Sequence, residues 1–355
     1  MTGPGEPERD WSIRKYQEGD EDQILELRGI ALSGSRNKEW WRWMFRDGPA
    51  GPAIIRLAVV KQRIIAQMAS IWVMIKIGDK ATRGTHGVDL MVHPDYRRQG
   101  VFTALGIKGR EDPLDQSRSI TYGTPNDQSR PGFVNRLNAL PICEVPVLVK
   151  VIDWGAVLKR RYKIPVLAGK ILGNIRERIT NRKPSLKAAG IIVEEVRSFD
   201  EQIDKFWEKA SRIKNIMIIK DMKYLNWRYI AKPGKEYRVF VAKKQDEIAG
   251  YIVLKLQKGA LSSGYIIDML TLPGEDTVAE LLITIGLRHL KEAGAAKASC
   301  WMLEGTPYYG TLRKLGFIRR HGPTLCSRIV EPSIPKEFVT NPANWYYVMG
   351  DDDAL

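Results

Sequence analysis

The chain has 355 residues, a formal charge of +15 and 44% hydrophobic residues, a length that fits two domains and an apolar content sufficient for globular burial. No apolar run reaches the roughly 18 residues that span a bilayer, and the polar N-terminal dozen lacks a signal-like apolar core, so a soluble, cytoplasmic protein is expected. Cys143, Cys300 and Cys326 are odd in number and far apart, and the four histidines form no metal spacing, which points to buried thiols in a reducing compartment and to no metal site.

In chain order the first half reads as a strand at 11–14, helices at 20–31 and 37–45, a strand at 54–61 and its hairpin partner at 64–77. A strand at 87–92, a helix at 101–109, a strand at 119–123, a helix at 129–140 and a strand at 146–152 follow. Alternating period-2 and period-3.6 segments predict a mixed α/β fold, a central mixed sheet flanked by helices. The strand at 87–92 runs into Val92-His93-Pro94-Asp95-Tyr96-Arg97-Arg98-Gln99-Gly100-Val101-Phe102, a basic, glycine-containing turn that opens a helix. The first N–H groups of a helix have no intrahelical acceptor and its dipole favours an anion. Amides from Arg98 to Thr103 are therefore suited to hold a pyrophosphate. Before the helix at 129–140, Thr124-Pro125-Asn126-Asp127-Gln128-Ser129 offers Asn126 and Ser129 either as ordinary caps or, for Asn126, as a ligand contact.

Residues 159–187 carry ten lysines and arginines against the single acid Glu177. Leu167, Ile171, Ile175 and Ile179 recur every fourth residue after Pro165, which predicts a basic amphipathic helix. Such a helix suits peripheral association with an anionic membrane or an acidic partner, and equally a connecting helix whose apolar stripe packs on its own domains. No nucleic-acid-binding motif accompanies the charge, so nucleic acid is not an expected partner.

Beyond this linker the chain repeats itself. Trp41-Arg42-Trp43-Met44-Phe45, a Gly-Pro turn and a strand correspond to Leu225-Asn226-Trp227-Arg228-Tyr229, a Pro233-Gly234 turn and a strand. Val88-Asp89-Leu90-Met91-Val92-His93-Pro94 aligns without gaps on Ile267-Asp268-Met269-Leu270-Thr271-Leu272-Pro273. Continued further, the alignment sets Asp276 against Arg97 and Ala279 against Gly100, exchanging a cation for a carboxylate that repels pyrophosphate.

The turn from Val92 to Phe102 resembles the acyl-CoA signature of the GNAT superfamily of N-acyltransferases, Arg/Gln-x-x-Gly-x-Gly/Ala. Arg97 and Gly100 match, and Phe102 stands where Gly or Ala is usual. Tyr308-Tyr309-Gly310-Thr311-Leu312-Arg313-Lys314-Leu315-Gly316-Phe317 is similar to the helix ending of the same family. The resemblance implies two tandem GNAT-like domains: an N-terminal one over 1–153 with the acyl-CoA site, a basic linker over 154–190, and a degenerate copy over 191–355. It implies that Leu90 and Val92 contact the pantetheine, that Arg97, Arg98, Gln99, Gly100, Val101, Phe102 and Thr103 form the pyrophosphate cradle, and that Asn126 lies near the pantetheine.

The activity so implied is transfer of an acyl group, most simply acetyl, from acyl-CoA to a primary amine of a small molecule or sugar, without a metal. The amine must lose a proton. Asp89 is the expected base, because an acid inside an apolar strand costs desolvation unless it has a task or a partner. Asp268 at the matching place in the second copy favours a structural role instead, and His86, His93 and Glu144 are further candidates. Two other functions fit the tandem pattern: a Fem-type transferase using aminoacyl-tRNA, and a non-catalytic acyl-CoA-binding protein.

Overall fold

The computed structural model describes residues 10–32, 36–112, 117–157, 190–234, 237–259 and 262–352. The basic segment at 159–187, with its expected amphipathic helix, lies outside them. By backbone contacts the chain forms two units. The first comprises Met1–Ile75, Thr82–Ile142 and Leu325–Thr340, the second Lys76–Ala81, Cys143–Thr324 and Asn341–Leu355.

The first unit begins with β1 (Ser12–Lys15), α1 (Glu21–Ala31) and α2 (Lys38–Phe45), the last capped by the Asn37 side chain accepting from the Trp40 amide. Strands β2 (Ile54–Val60), β3 (Arg63–Ile77) and β4 (Lys80–Val92) follow, then α3 (Val101–Glu111), β5 (Ile120–Gly123), α4 (Arg130–Leu137) and β6 (Leu140–Glu144). Strand β6 was not read from the sequence. Val101, Leu105 and Gly109, spaced one helical turn apart, form the buried stripe of α3. Val101 and Leu105 pack on Ala58, Ile65 and Ala66 of β2 and β3, all at most 1% exposed. Burying each of these two side chains contributes about 1.5–3 kcal/mol, which anchors the start of α3 against the sheet. Trp40, Trp41, Trp43 and Phe45 of α2 are likewise buried, so this aromatic stripe belongs to the core.

The second unit takes β7 (Val147–Val151), β8 (Ile191–Val196), α5 (Gln202–Ala210), β9 (Ile216–Ile218) and α6 (Met222–Leu225), which continues as a wider turn through Asn226–Ile230. Then come β10 (Tyr237–Lys244), β11 (Glu247–Gln257), β12 (Ser263–Thr271), α7 (Asp276–Glu292), β13 (Lys297–Trp301), α8 (Pro307–Lys314) and β14 (Ile318–Arg320). Strand β15 (Thr324–Ile329) and α9 (Lys336–Thr340) follow.

The main path of the first sheet is β1-β2-β3-β4-β5-β15-β6, and that of the second is β8-β10-β11-β12-β13-β7-β14. Position by position these are the same order, with one exchange. Strand β7, expected to close the first domain, pairs antiparallel with β13, and β15 pairs antiparallel with β5. The units therefore differ from the contiguous pieces 1–153 and 191–355. Pro146 lies between β6 and β7, and Pro323 between β14 and β15. The two connections meet closely: the Val145 amide donates to the Pro323 carbonyl at 2.8 Å, and the Met302 amide to the Pro146 carbonyl at 3.1 Å. A side chain at Gly322 would lie 1.9 Å from the Val145 carbonyl oxygen.

Backbone cannot yield as a flexible side chain does, so Gly322→Ala is expected to lower stability by about 3 kcal/mol, the upper end for overpacking. Urea unfolding measures it, and a loss under about 0.5 kcal/mol, the range of a neutral surface change, would show that the crossing is loose.

Candidate active site

Parallel strands β4 and β5 pair through Thr85 with Thr121 and His86 with Tyr122, and the described ladder goes no further. Strand β4 continues to Val92 while β5 ends at Gly123, so the two separate into a fork whose long arm is residues 87–92. Leu90 and Val92 are half-buried on that arm.

At the tip of the arm the chain enters the helix. The His93 amide bonds to the Ile65 carbonyl at 2.8 Å, and its ring takes the Asp95 amide and faces Arg63, so His93 pins the turn to β3. Pro94–Tyr96 make one 3-10 turn. Arg98 (φ 64°) and Gly100 (φ 80°) then adopt left-handed backbone, which reverses the chain into α3. Glycine suits that conformation and also leaves open space around its α-carbon. Ala104 makes the first bond of the helix, to the Gly100 carbonyl, so by helix geometry the amides of Val101, Phe102 and Thr103 have no intrahelical acceptor. Arg97, Arg98 and Gln99 are exposed beside them, with Arg97 Nε donating to the Val92 carbonyl at 3.2 Å and Gln99 Nε2 to the Asp95 carbonyl at 2.8 Å. This geometry brings the cradle residues named from the sequence into one turn.

Phe102 does not obstruct it. Its ring meets Phe133 of α4 edge-on at 5.1 Å and lies over Gly132, where a β-carbon would come within 2.6 Å of the ring. Gly106 of α3 reciprocates by admitting Leu137, 2.5 Å from where its β-carbon would be. Two glycines thus let α3 and α4 pack closely enough to stow the large side chain that replaces the usual small one. Asn126 is exposed ahead of α4, its Oδ1 accepting from the amides of Gln128 and Ser129 at 3.1 and 2.9 Å. That oxygen is committed to the turn.

Asp89 occupies the fork's arm in left-handed backbone (φ 43°), a conformation that costs a non-glycine residue about 1–2 kcal/mol. Two groups hold it, one of them backed by a third. Arg28 Nε of α1 lies 3.0 Å from Asp89 Oδ2, both side chains being nearly buried. Gln67 Nε2 of β3 donates to the Asp89 carbonyl at 3.2 Å, and Trp40 stacks against the Arg28 guanidinium at 5.2 Å. Burial raises the Asp89 carboxyl above its ordinary pKa, and the charge and hydrogen bond of Arg28 oppose that rise. Arg28 and Gln67 were not singled out from the sequence, although Gln67 is a polar residue inside a buried apolar strand and carried that signal. Of the other candidate bases, His86 is buried and stacked on Tyr122 with ring centroids 5.0 Å apart. Glu144 is engaged by Arg319 at 3.2 Å and His321 at 2.5 Å.

The second unit repeats the fork and fills it. Strands β12 and β13 pair only from Ser263–Lys297 to Tyr265–Ser299, and β12 runs on to Thr271. There the Thr271 amide donates to the Tyr308 hydroxyl at 2.8 Å, and the Tyr346 hydroxyl donates to the Met269 carbonyl. Tyr347 stacks on Trp301 of β13, and Trp345 through Met349 are at most 5% exposed. Asp268, the counterpart of Asp89, accepts from Lys220 Nζ at 2.6 Å, Tyr229 at 2.7 Å and Tyr251 at 3.2 Å. Lys220 also donates to Asp351 at 2.7 Å. Burial would lower the pKa of Lys220, but the two carboxylates hold its ammonium well above the usual range. The cradle is gone as well. Helix α7 starts at Asp276, directly after Pro273-Gly274-Glu275, so Asp276 and Ala279 lie in its first turn and no loop like 97–100 precedes it. The ungapped alignment therefore fails just past Pro273, and the carboxylates of Glu275 and Asp276 stand where an anion would need cations.

Cys300 and Cys326 are buried and Cys143 half-buried, none of them in a disulfide. Among the described residues no His, Cys, Asp and Glu group is arranged to hold a metal ion, and no helix is long and apolar enough to cross a membrane.

Residues 12–139 match the family model described as an acetyltransferase (GNAT) domain. No curated protein sequence matches. Among solved structures, a GCN5-related N-acetyltransferase from Anabaena variabilis is similar with a TM-score of 0.65 at 12% identity, over 90% of this chain and 73% of that one. A probable N-acyltransferase from Enterococcus faecalis gives the same TM-score, identity and coverage. N-myristoyltransferase from Saccharomyces cerevisiae with bound myristoyl-CoA aligns at a TM-score of 0.61 and 13% identity, over 92% of this chain and 85% of that one. At these identities the likeness is one of fold.

The packing of Phe102 is testable without a ligand. Gly132→Ala is expected to destabilise the protein by about 1–3 kcal/mol, the usual range for overpacking. In a Phe102→Ala background the same change is expected to be neutral or to stabilise by up to about 1 kcal/mol, the helix-propensity difference between Gly and Ala. Thermal unfolding of the four proteins gives the coupling, and additive effects would disprove the contact.

Proposed function

For a chain that carries a GNAT acetyltransferase domain over residues 12–139, we propose an acyl-CoA-dependent N-acyltransferase with a single donor site, in the first unit. The observation that carries this reading is the continuity of fork and cradle. The half-buried arm of β4, ending at Val92, leads directly into the turn at 97–100 and the unsatisfied amides of Val101, Phe102 and Thr103. A pyrophosphate at those amides, beside the cationic Arg97 and Arg98, places a pantetheine arm along residues 90–92, where backbone amides are available to a thioester oxygen.

The reaction follows from that placement. The neutral amine nitrogen attacks the thioester carbonyl carbon, a C–N bond forms, and charge collects on the carbonyl oxygen. Collapse of this intermediate breaks the C–S bond and releases CoA, whose sulfur takes up a proton while the nitrogen gives one up. Holding donor and acceptor together in one complex supplies much of the rate enhancement by removing the cost of bringing them together. The acceptor is a primary amine of a small molecule or sugar. Peripheral attraction of the chain to an anionic membrane through residues 159–187 remains part of the same proposal, since the excess of lysine and arginine there favours it.

Two results are expected from calorimetric titration with acetyl-CoA and with CoA. The native protein binds each at one molecule per chain, and Gly100→Asp weakens both at least about a hundredfold, because a carboxylate and a strained backbone enter the cradle together. Failure of the native protein to bind either compound would overturn the reading and favour the aminoacyl-tRNA-dependent alternative. Binding of two molecules per chain would overturn the single-site claim alone.

A further inference from the structure

We propose that Arg28, Asp89 and Gln67 act together as a positioning clamp for the donor thioester, and that Asp89 serves through this clamp and not as the proton acceptor. The inference rests on the acyl-CoA reading above. It begins with a conformational problem. Asp89 adopts left-handed backbone in the middle of a strand, at the third residue beyond the last β4–β5 pair. A kink there breaks the regular ladder, and the carbonyl it exposes would be buried without a partner. Gln67 answers that need by donating its side-chain amide to this carbonyl at 3.2 Å, in place of a backbone group. Arg28 answers the other half by holding the carboxylate at 3.0 Å from the neighbouring helix α1.

The second copy separates the two roles open to an aspartate here. Asp268 occupies the aligned position in β12, again at an irregularity in the strand, since the register with β11 shifts between Val253 and Leu254. Its fork is filled by the chain's own tyrosines and no cradle loop precedes the next helix, so the acyl-CoA reading above places no donor beside it. Asp268 is nevertheless held by a buried cation, Lys220, at 2.6 Å, as Asp89 is held by Arg28. The cations come from different elements: Arg28 from α1, Lys220 from the segment before α6. The shared property of both aspartates is a counter-charged side chain at a break in the forked strand. That is the requirement of a clamp. A base, by contrast, would have to surrender its ion pair each time it accepted a proton, leaving the Arg28 guanidinium buried without its counterion.

What the clamp positions is the peptide backbone of residues 90–92, immediately downstream of the kink and along the arm that the thioester would occupy. The kink sets which way those amides face. Loosening it should change how the thioester carbonyl is polarised while leaving the pyrophosphate cradle largely in place, because the start of α3 is also anchored by Val101 and Leu105 in the core.

The test uses acetyl-CoA labelled with carbon-13 at the thioester carbonyl, bound to the native full-length chain and to Arg28→Gln, Asp89→Asn and the double variant. The native complex should show a carbonyl resonance displaced from that of free acetyl-CoA. Each single variant should return it toward the free position and weaken acetyl-CoA binding about tenfold, the loss of one good hydrogen bond, while the affinity for CoA changes less than about twofold. The double variant should be no worse than either single one, and Arg28→Lys should restore part of the displacement. Gln67→Leu uncovers no charge and provides a variant that folds if the others do not; it should shift the resonance in the same direction. A native resonance in Asp89→Asn with CoA binding retained is the result a proton acceptor would give, and it would overturn the clamp. So would a native resonance in Gln67→Leu. If the native protein binds neither acetyl-CoA nor CoA, the acyl-CoA reading falls and the clamp falls with it.

Discussion

A parallel strand pair that stops early is the constraint from which the rest of this molecule follows. Once β4 and β5 have paired at Thr85–Thr121 and His86–Tyr122, the remaining arm of β4 presents backbone groups that β5 no longer serves. Buried backbone donors and acceptors without partners are expensive, so something must meet them. The protein contains two answers. In the first unit the arm ends in a turn and helix start suited to an anionic ligand. In the second, the hydroxyls of Tyr308 and Tyr346 meet the arm from within the chain, and residues 345–349 are buried with them.

The two answers account for the divergence of the copies. The first keeps a loop with left-handed Arg98 and Gly100, which costs backbone strain and leaves the amides of 101–103 open to an anion. The second begins its helix directly at Asp276 and spends its polar groups on holding the C-terminal segment: Lys220 on Asp351, Arg228 on the carbonyls of Gly350 and Asp352, Tyr347 on the Asp352 carboxylate. Burial of such charges is tolerable only because each has a partner at hydrogen-bond distance. The second copy is thus closed by the chain's own residues. The exchange of β7 and β15 adds a second consequence, since neither sheet is complete from one half of the sequence. A fragment ending before the linker would lack β15 and leave the far edge of β5 unpaired.

The Arg28–Asp89 pair shows how a burial cost identifies a working part. An acid in an apolar strand invites a catalytic reading, and burial does raise its pKa. The structure adds the partner, the left-handed backbone and the Gln67 contact, which together describe a held kink. The same logic applies to Phe102. Read alone it departs from the small residue expected in the cradle, yet Gly132 supplies the missing space from another helix.

Much of this was legible in the sequence by itself. The periodicity placed most elements of the first half within a few residues, the helix at 101–109 and its basic turn were read from local spacing, and the internal repeat was visible in the Asp89 and Asp268 segments. These succeed because helix starts, turns and strand alternation are decided by neighbours in the chain. Tertiary structure alone decided which strand pairs with which, since β7 and β15 carry no local mark of the sheet they join. It likewise decided the Arg28–Asp89 and Gln67–Asp89 contacts, separated by 61 and 22 residues, and the room that Gly132 makes for Phe102. Such choices depend on complementary shape and charge between distant segments, and only the packed chain brings those together.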